Sequence, residues 1–562
     1  MEPGSYPEAH GSRWHYGISA VLGVAITAAL LAAILPVAYQ YRDPDAASYI
    51  EAARNFLAAK GLSVSAGLDK LPSALEPLSL WPPGYPLFIA FAAKLLGADP
   101  AWIAPKIDWL CWALLPCALS FAFRPILRNW SIHAISALVM IAPGAIGLAW
   151  QPMSDVPFLL LTILAFGVLF RGSSQKGNSG LLLGSGVLCG IAYTVRNVGI
   201  ALFPAIVVSF AVLALLGILR PAAAIRQLLW WAAGAALIVT PLAAYNLVLF
   251  GHLQPYHMAA STLGLTINTR YFLAALLTDI TANREIIYAN FWNNKVLVAI
   301  VAAPLVLAVI RRKPLLVLWR ELSFTAKNAV ISLGAYLIFG AAVVIIARSR
   351  YEWGELISDR HFLQYDWIIW AMAALVVENG GRISKGTIAL ASAVATVFVG
   401  LRISLASQEV ALAKLESAAT FTTTGPIGLA RIKTPNPASS YQRVMRLTIA
   451  RDHELIQAIA KLPADVALFS NYDDVLREND NRPTYRIILD KDCGTPGRLL
   501  TSDTRLSKMK AVMILFPDPQ VLKSGCWESL EQSPQRQRLL SVTRNYLVTL
   551  TNRKAKEQSA AE

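Results

Sequence analysis

Apolar runs long enough to cross a lipid bilayer recur from near the start of the chain to about residue 404, and no other feature restricts its fold so strongly. A span needs roughly 20 such residues, because a helix rises about 1.5 Å per residue through a hydrocarbon core about 30 Å thick. Runs of this kind are readable at 17–39, 101–123, 131–149, 154–170, 180–196, 198–219, 227–249, 295–310, 328–347, 362–378 and 386–404, about eleven in all. Inside lipid each backbone N–H and C=O must be paired within its own segment, so every run is expected to be an α-helix. The run 85–97 is too short to cross alone and is expected as an interfacial or re-entrant helix. With 55% hydrophobic and only 15% charged residues over 562 positions, the chain is not an ordinary soluble protein. The predicted class is a polytopic α-helical membrane protein.

The formal charge of +15 raises the question of a nucleic-acid partner, but the basic residues lie in short clusters between apolar runs and form no single stripe. They fit topology instead. Arg124 and Arg128, Arg171 and Lys176, Arg220 and Arg226, Arg311 to Lys327, and Arg382 and Lys385 occupy alternate connections, which all become cytoplasmic if the N-terminus is cytoplasmic. The first apolar run is long enough to span and is expected to be retained, since Glu2 and Glu8 make the preceding residues a poor cleavable signal. The chain is therefore expected in the cytoplasmic (inner) membrane. The opposite, external side then receives 40–100, the turn near Trp150 to Asp155, the turn at Arg196, the loop 251–294, the segment 348–361 and everything after about 405.

Beyond Ser407 the composition becomes that of a soluble domain. Strand-like stretches at 466–470, 511–517 and 546–552 alternate with helical ones at 441–462 and 472–480, which predicts a small external α/β domain over 405–552 with a few parallel strands. Residues 553–562 are polar and expected to be a disordered tail. Cys111, Cys117 and Cys189 lie in apolar runs as packing residues, whereas Cys493 and Cys526 would be free to pair if their region faces an oxidising compartment.

Candidate functional residues gather on the predicted external face. Asp43, ahead of Pro44, reads as the N-cap of an amphipathic helix whose apolar positions include Tyr49, Ile50, Ala53 and Phe56. That leaves Asp45, in the first turn, with either a dipole-stabilising role or a chemical one. Asp155 stands between two spans, as a cap or as a binding carboxylate. Arg196 is isolated between apolar runs and needs an anion, supplied by a structural ion pair or by a ligand. Arg348, Arg350, Arg360 and His361 crowd the segment 348–361, where they would anchor lipid headgroups or clamp a phosphate. The loop after His252 adds His257, Arg270, Arg284, Trp292 and Lys295, a mixture compatible with sugar or phosphate contact. No nucleophilic-serine motif, P-loop, GxGxxG or Cys/His metal cluster is present.

Asp45-x-x-x-Tyr49, then ARNFLAAKG at 53–61 and PPGYP at 82–86, resembles the first external loop of the GT-C membrane glycosyltransferases, closest to the protein O-mannosyltransferase and lipid A aminoarabinose transferase group. SDVPF at 154–158, RNVG at 196–199 and DRHF at 359–362 resemble later landmarks of that group in the same order, so the likeness covers about 17–404. It implies an inverting transferase that takes a sugar from a polyprenyl-phosphate donor and passes it to a hydroxyl or phosphate of a lipid, glycan or protein acceptor. Asp45 would then be the general base, and Arg196, Arg350, Arg360 and His361 would receive the donor phosphate. Asp155, Tyr49, Trp81 and Tyr85 would contact donor or acceptor, with membrane lipids as the other partner and no nucleic acid. Where the aminoarabinose branch carries an acidic residue before its proline pair, this chain has Leu80 and Trp81, so no metal or other cofactor is expected. Two other classes stay open: a transporter or flippase, which should show repeat symmetry and broken helices near the midplane, and a membrane-anchored binding protein acting through residues 405–562.

Overall fold

A computed structural model describes residues 12–38, 44–65, 75–142, 148, 151–256, 260–281, 312–351, 357–379 and 400–404. Beyond them it describes 407–408, 411, 420–422, 425–427, 449, 453–461, 466–470, 472, 475–476, 484–486, 510–515 and 546–550. The chain divides into two compact units, one of residues 1–33, 79–85 and 105–410, the other of 34–78, 86–104 and 411–562. In chain order the helices up to the first turn of the membrane part are α1 (Ser12–Ala38), α2 (Pro44–Leu57), α3 (Gly84–Leu96), α4 (Pro100–Phe123) and α5 (Asn129–Met140). Next come α6 (Asp155–Gly172), α7 (Ser179–Val195), a 3₁₀ turn (Asn197–Ala201), α8 (Leu202–Leu215) and α9 (Pro221–Phe250). The series continues with α10 (Leu265–Thr281), α11 (Arg312–Glu321), α12 (Phe324–Arg350) and α13 (Asp359–Asn379).

Among the described residues, five helical segments are long and apolar enough to cross a membrane: Pro100–Phe123, Asp155–Gly172, Asn197–Leu215, Pro221–Phe250 and Phe324–Arg350. The 30 residues of α9 extend about 45 Å. The expected span 295–310 and residues 386–399 of the expected span 386–404 lie outside the described residues, and the expected span 131–149 is a shorter helix, ending at Met140. The short run read at 85–97 is the 13-residue α3.

Local chemistry sets several helix ends. Asn178 caps α7 by accepting the Leu181 N–H, Ser323 caps α12 by accepting that of Ala326, and Pro221 opens α9. The carboxylate of Glu378 near the end of α13 accepts the N–H of Arg128, the residue that leads into α5, at 2.9 and 3.0 Å. In the larger unit α6 and α7 form an antiparallel hairpin, α7 packs closely on α9, and α12 packs on α8. The α7 and α9 approach needs Gly186, where a Cβ would run into the Trp231 carbonyl. Phe166, Phe170, Tyr336, Tyr365 and Trp367 build an aromatic core between α6, α12 and α13, with Phe166 and Tyr336 ring centroids 5.5 Å apart. Leu215, Leu229, Leu237 and Val248 remain exposed, as expected for side chains meeting lipid.

One stretch read as loop is helical. α10 falls inside 251–294, and its buried face of Asn268, Phe272, Ala275 and Asp279 follows helical spacing but alternates polar with apolar residues, which disguises the periodicity.

The smaller unit contains α2 and a hairpin of β1 (Ser63–Ser65) and β2 (Leu75–Pro77), paired Ser63 to Pro77 and Ser65 to Leu75. α2 buries Ala46, Ala47, Tyr49, Ile50, Ala52 and Ala53, while Glu51 accepts the N–H and hydroxyl of Ser65 and Asn55 donates to Ser63 O. Arg54 grips Asp99 through two hydrogen bonds, at 2.8 and 3.1 Å. In the C-terminal part, β3 (Thr420–Thr422) pairs with β4 (Gly425–Ile427), and α14 (His453–Ala460) precedes a four-stranded sheet. Its strands β5 (Val466–Ser470), β6 (Thr484–Arg486), β7 (Lys510–Leu515) and β8 (Tyr546–Leu550) lie in the order β6-β5-β7-β8. β5 runs parallel to β6 and β7 as expected, but β8 is antiparallel to β7, an edge strand of the kind that often closes a parallel sheet. Asp43, Cys493, Cys526, most of the predicted helix 472–480 and the tail 553–562 lie outside the described residues.

Candidate active site

Because α6 and α7 run antiparallel, the start of one lies beside the end of the other, and each carries a charge there. Asp155 is the first residue of α6, and Arg196 follows the last residue of α7. The guanidinium of Arg196 donates through Nη1 to Asp155 Oδ2 at 2.5 Å and to Ser154 Oγ at 3.3 Å. Arg360, one residue into α13, brings its Nε to 3.7 Å from the same Asp155 oxygen. The anion that Arg196 needs is thus supplied by Asp155, and the Ser154 side chain takes a hydrogen bond from Arg196 and makes no capping bond to α6.

Among the described residues two guanidiniums approach this one carboxylate. The carboxylate is 6% exposed and the cations 18% and 16%, so the cations are what an arriving group meets. A carboxylate that holds two Arg side chains in place also spares a ligand the entropy of ordering them. The start of α6 adds its positive dipole end to the same spot.

The neighbouring cations differ in availability. Arg348 is buried and committed, donating to Ser261 Oγ at 2.9 Å and to Tyr351 O at 3.2 Å. Arg350 is exposed, its guanidinium lying 5.6 Å from the centre of the Tyr351 ring. His361 is buried, and the N–H of Ser358 donates to its Nδ1 at 3.3 Å.

Of the aromatic candidates, Tyr85 is placed differently from what stacking on a sugar requires. Tyr85 is fully buried, with its hydroxyl on Asp108 Oδ1 at 2.9 Å, so its ring fills the core instead of standing open to a sugar. Tyr49 is 2% exposed within the smaller unit. Trp81 is half-buried in the turn before α3, whose backbone is pressed on the end of α7: a Cβ on Gly84 would sit 2.5 Å from Thr194 Oγ1. Asp45 occupies the first turn of α2, partly buried. Among the described residues no three His, Cys, Asp or Glu side chains gather as a metal site would require, and Leu80 and Trp81 offer no ligand.

Charged residues hidden inside apolar runs were not singled out. Asp108, 1% exposed, accepts from both Tyr85 and the Met153 N–H, while Arg402 and Asp366, each within an expected span, form a fully buried ionic group with Asp279 of the stretch expected as loop. The available signal was their mere presence in a span, where an ionisable residue demands a partner.

No family model matches the chain, and no curated protein matches it in sequence. Solved structures do match. ArnT from Cupriavidus metallidurans aligns over 95% of this chain and 98% of its own in the apo state, with TM-score 0.54 and 16% identity. The same protein bound to undecaprenyl phosphate aligns over 94% and 98%, with TM-score 0.53 and 16% identity. The archaeal oligosaccharyltransferase AglB from Archaeoglobus fulgidus, in complex with an inhibitory peptide and a dolichol-phosphate, aligns over 90% of this chain and 69% of its own, with TM-score 0.50 and 14% identity. The chain has the GT-C fold. The likeness of fold extends over nearly the whole chain, beyond the residues 17–404 that the short motifs cover.

Proposed function

We propose that this protein is an inverting, polyprenyl-phosphate-dependent glycosyltransferase that works at the external face of the cytoplasmic membrane, with about eleven membrane spans, its N-terminus in the cytoplasm and residues 405–552 as an external domain. The observation that carries this reading is the convergence of Arg196 and Arg360 on Asp155 at the ends of three helices in a GT-C fold. ArnT and AglB were solved with undecaprenyl phosphate and dolichol-phosphate, so a lipid phosphate is the ligand class to expect.

The chemistry explains why cations dominate. An acceptor hydroxyl gives its proton to a general base as its oxygen attacks the anomeric carbon. The bond from that carbon to the phosphate oxygen breaks, and the electron pair stays on the phosphate. The departing lipid phosphate thus gains a negative charge, and stabilising that charge matters more than protonating it. Arg196 and Arg360, joined by exposed Arg350, are the groups proposed for this task, with forked guanidiniums suited to phosphate oxygens. Asp155 is proposed to hold the cations, and Asp45, which matches the Asp-x-x-x-Tyr pattern and sits in the first turn of α2, is proposed as the base.

The test is incubation of purified full-length protein with a panel of polyprenyl-phosphate sugars, following released lipid phosphate and sugar transfer. Release that depends on an added acceptor supports the reading. No release from any donor, with the fold intact, sinks it.

A further inference from the structure

A single carboxylate inside α4 links the parts of the chain that surround the ion cluster. Asp108 is 1% exposed, and among the described residues no Lys or Arg is paired with it. A buried carboxylate without a cation is costly, so hydrogen bonds must hold it. Its two oxygens are divided between two elements. Oδ1 accepts the hydroxyl of Tyr85 at 2.9 Å, and Oδ2 accepts the backbone N–H of Met153 at 2.6 Å.

Both donors belong to segments that touch the cluster. Met153 directly precedes Ser154 and Asp155, which take hydrogen bonds from Arg196. Tyr85 is the second residue of α3, and the stretch from Leu80 to Tyr85 packs on the residues flanking Arg196. Gly84 lies so close to the end of α7 that a Cβ would meet the Thr194 carbonyl oxygen at 2.6 Å, and Asn197, next to Arg196, donates to Leu80 O at 3.4 Å. This stretch is thereby fastened to the end of α7 directly and to the start of α6 through Asp108.

We infer that Asp108 is a positioning residue which, through Met153 and Tyr85, fixes the turn carrying Ser154 and Asp155 and so sets where the Arg196 and Arg360 guanidiniums meet a lipid phosphate. The inference rests on the reading of that cluster as the phosphate site. It assigns Asp108 no contact with substrate. A carboxylate suits the place because it accepts on both oxygens, whereas an amide would set its own N–H against one of the two donors.

The experiment uses the full-length protein in lipid nanodiscs, with Tyr85→Phe and Asp108→Asn compared with the unaltered chain. Hydrogen exchange of peptides covering 151–160 reports the turn without any ligand. Binding of undecaprenyl phosphate, compared with undecaprenol, reports the phosphate site. The expected result is faster exchange at 151–160 and roughly tenfold weaker binding of the phosphate with undecaprenol binding unchanged, the size of one lost hydrogen bond to a charged group. Should Asp108→Asn fail to fold, Tyr85→Phe, which removes one hydroxyl, carries the test by itself. Unchanged exchange at 151–160, or faster exchange with full discrimination between phosphate and alcohol, overturns the inference. An unaltered protein that does not prefer the phosphate to the alcohol overturns the reading of the cluster as a phosphate site, whereas unchanged ligand-free exchange in the variants overturns the positioning role alone, so the two failures are distinguishable.

Discussion

Arg402 grips Asp366 with both arms of its guanidinium, Nη2 to Oδ1 at 2.8 Å and Nη1 to Oδ2 at 3.1 Å, and neither side chain has any exposed surface. The same two nitrogens donate to the carbonyls of Asp279 and Leu138, so one residue of the helical stretch 400–404 ties together α5, α10 and α13. Trp370 completes the set by donating to Asp366 Oδ1 at 2.7 Å. Breaking a buried pair by removing one partner strands the other charge, which costs about 3–5 kcal/mol, while replacing both with apolar groups is often tolerated. Arg402→Met is expected to lower the thermal unfolding midpoint strongly, and Arg402→Met with Asp366→Leu to recover part of the loss, because Asp279 still keeps a buried carboxylate that has lost Arg402. A double variant no more stable than the single one would show that the network is not acting as a pair.

The cationic cluster makes a second expectation. Arg360→Ala leaves Asp155 paired with Arg196, so the fold should survive, but one of the two guanidiniums proposed to hold the lipid phosphate is gone. Affinity for undecaprenyl phosphate should fall by about 1.5–3 kcal/mol, the range for hydrogen bonds to charged groups. Titration in lipid nanodiscs at two salt concentrations checks it. Unchanged affinity at both would assign Arg360 to headgroup anchoring.

How much of this was readable beforehand depended on how far apart the partners lie in the chain. The helices of the membrane part show as apolar runs, since lipid demands them locally, and Asp155, Arg196 and Arg360 each stand out as charges at the edge of a run. Their meeting does not, because it depends on α6, α7 and α13 packing at one end, and no local pattern records that. Asp108, Asp366 and Arg402 were passed over because they sit in the middle or near the end of runs whose average hydropathy hides them. α10 was read as loop because Asn268 and Asp279 occupy its buried face. Tyr85 carries the opposite lesson: a tyrosine beside prolines at a predicted membrane surface invites a sugar-stacking role, yet its hydroxyl has a buried acceptor and its ring no exposed surface.

Asp45→Asn tests the base. The change keeps the size and a hydrogen-bonding oxygen at the first turn of α2, so insertion and the unfolding midpoint should be close to unaltered. Sugar transfer should fall by about 10²- to 10⁴-fold, the usual contribution of a general base. Binding of the lipid phosphate should persist. Undiminished transfer by this variant in a reconstituted assay would remove the catalytic assignment.

Two glycines one helical step apart in α7 give an internal control for the packing of α7 on α9. At Gly186 an added Cβ would strike the Trp231 carbonyl and lie 2.7 Å from the Ala235 nitrogen, backbone atoms that cannot turn aside. At Gly184 the nearest neighbour is a Val168 methyl at 3.9 Å, ordinary contact. Alanine favours a helix over glycine by about 1 kcal/mol, so Gly184→Ala should be neutral or slightly stabilising. Gly186→Ala must push the helices apart, and forcing extra atoms into a filled interface costs typically 1–3 kcal/mol. Thermal unfolding should therefore show a lowered midpoint for Gly186→Ala and an equal or raised one for Gly184→Ala. Equal midpoints would mean that α7 and α9 are not in backbone contact at Gly186, and the placement of Arg196 at the end of α7 would need to be explained without that contact.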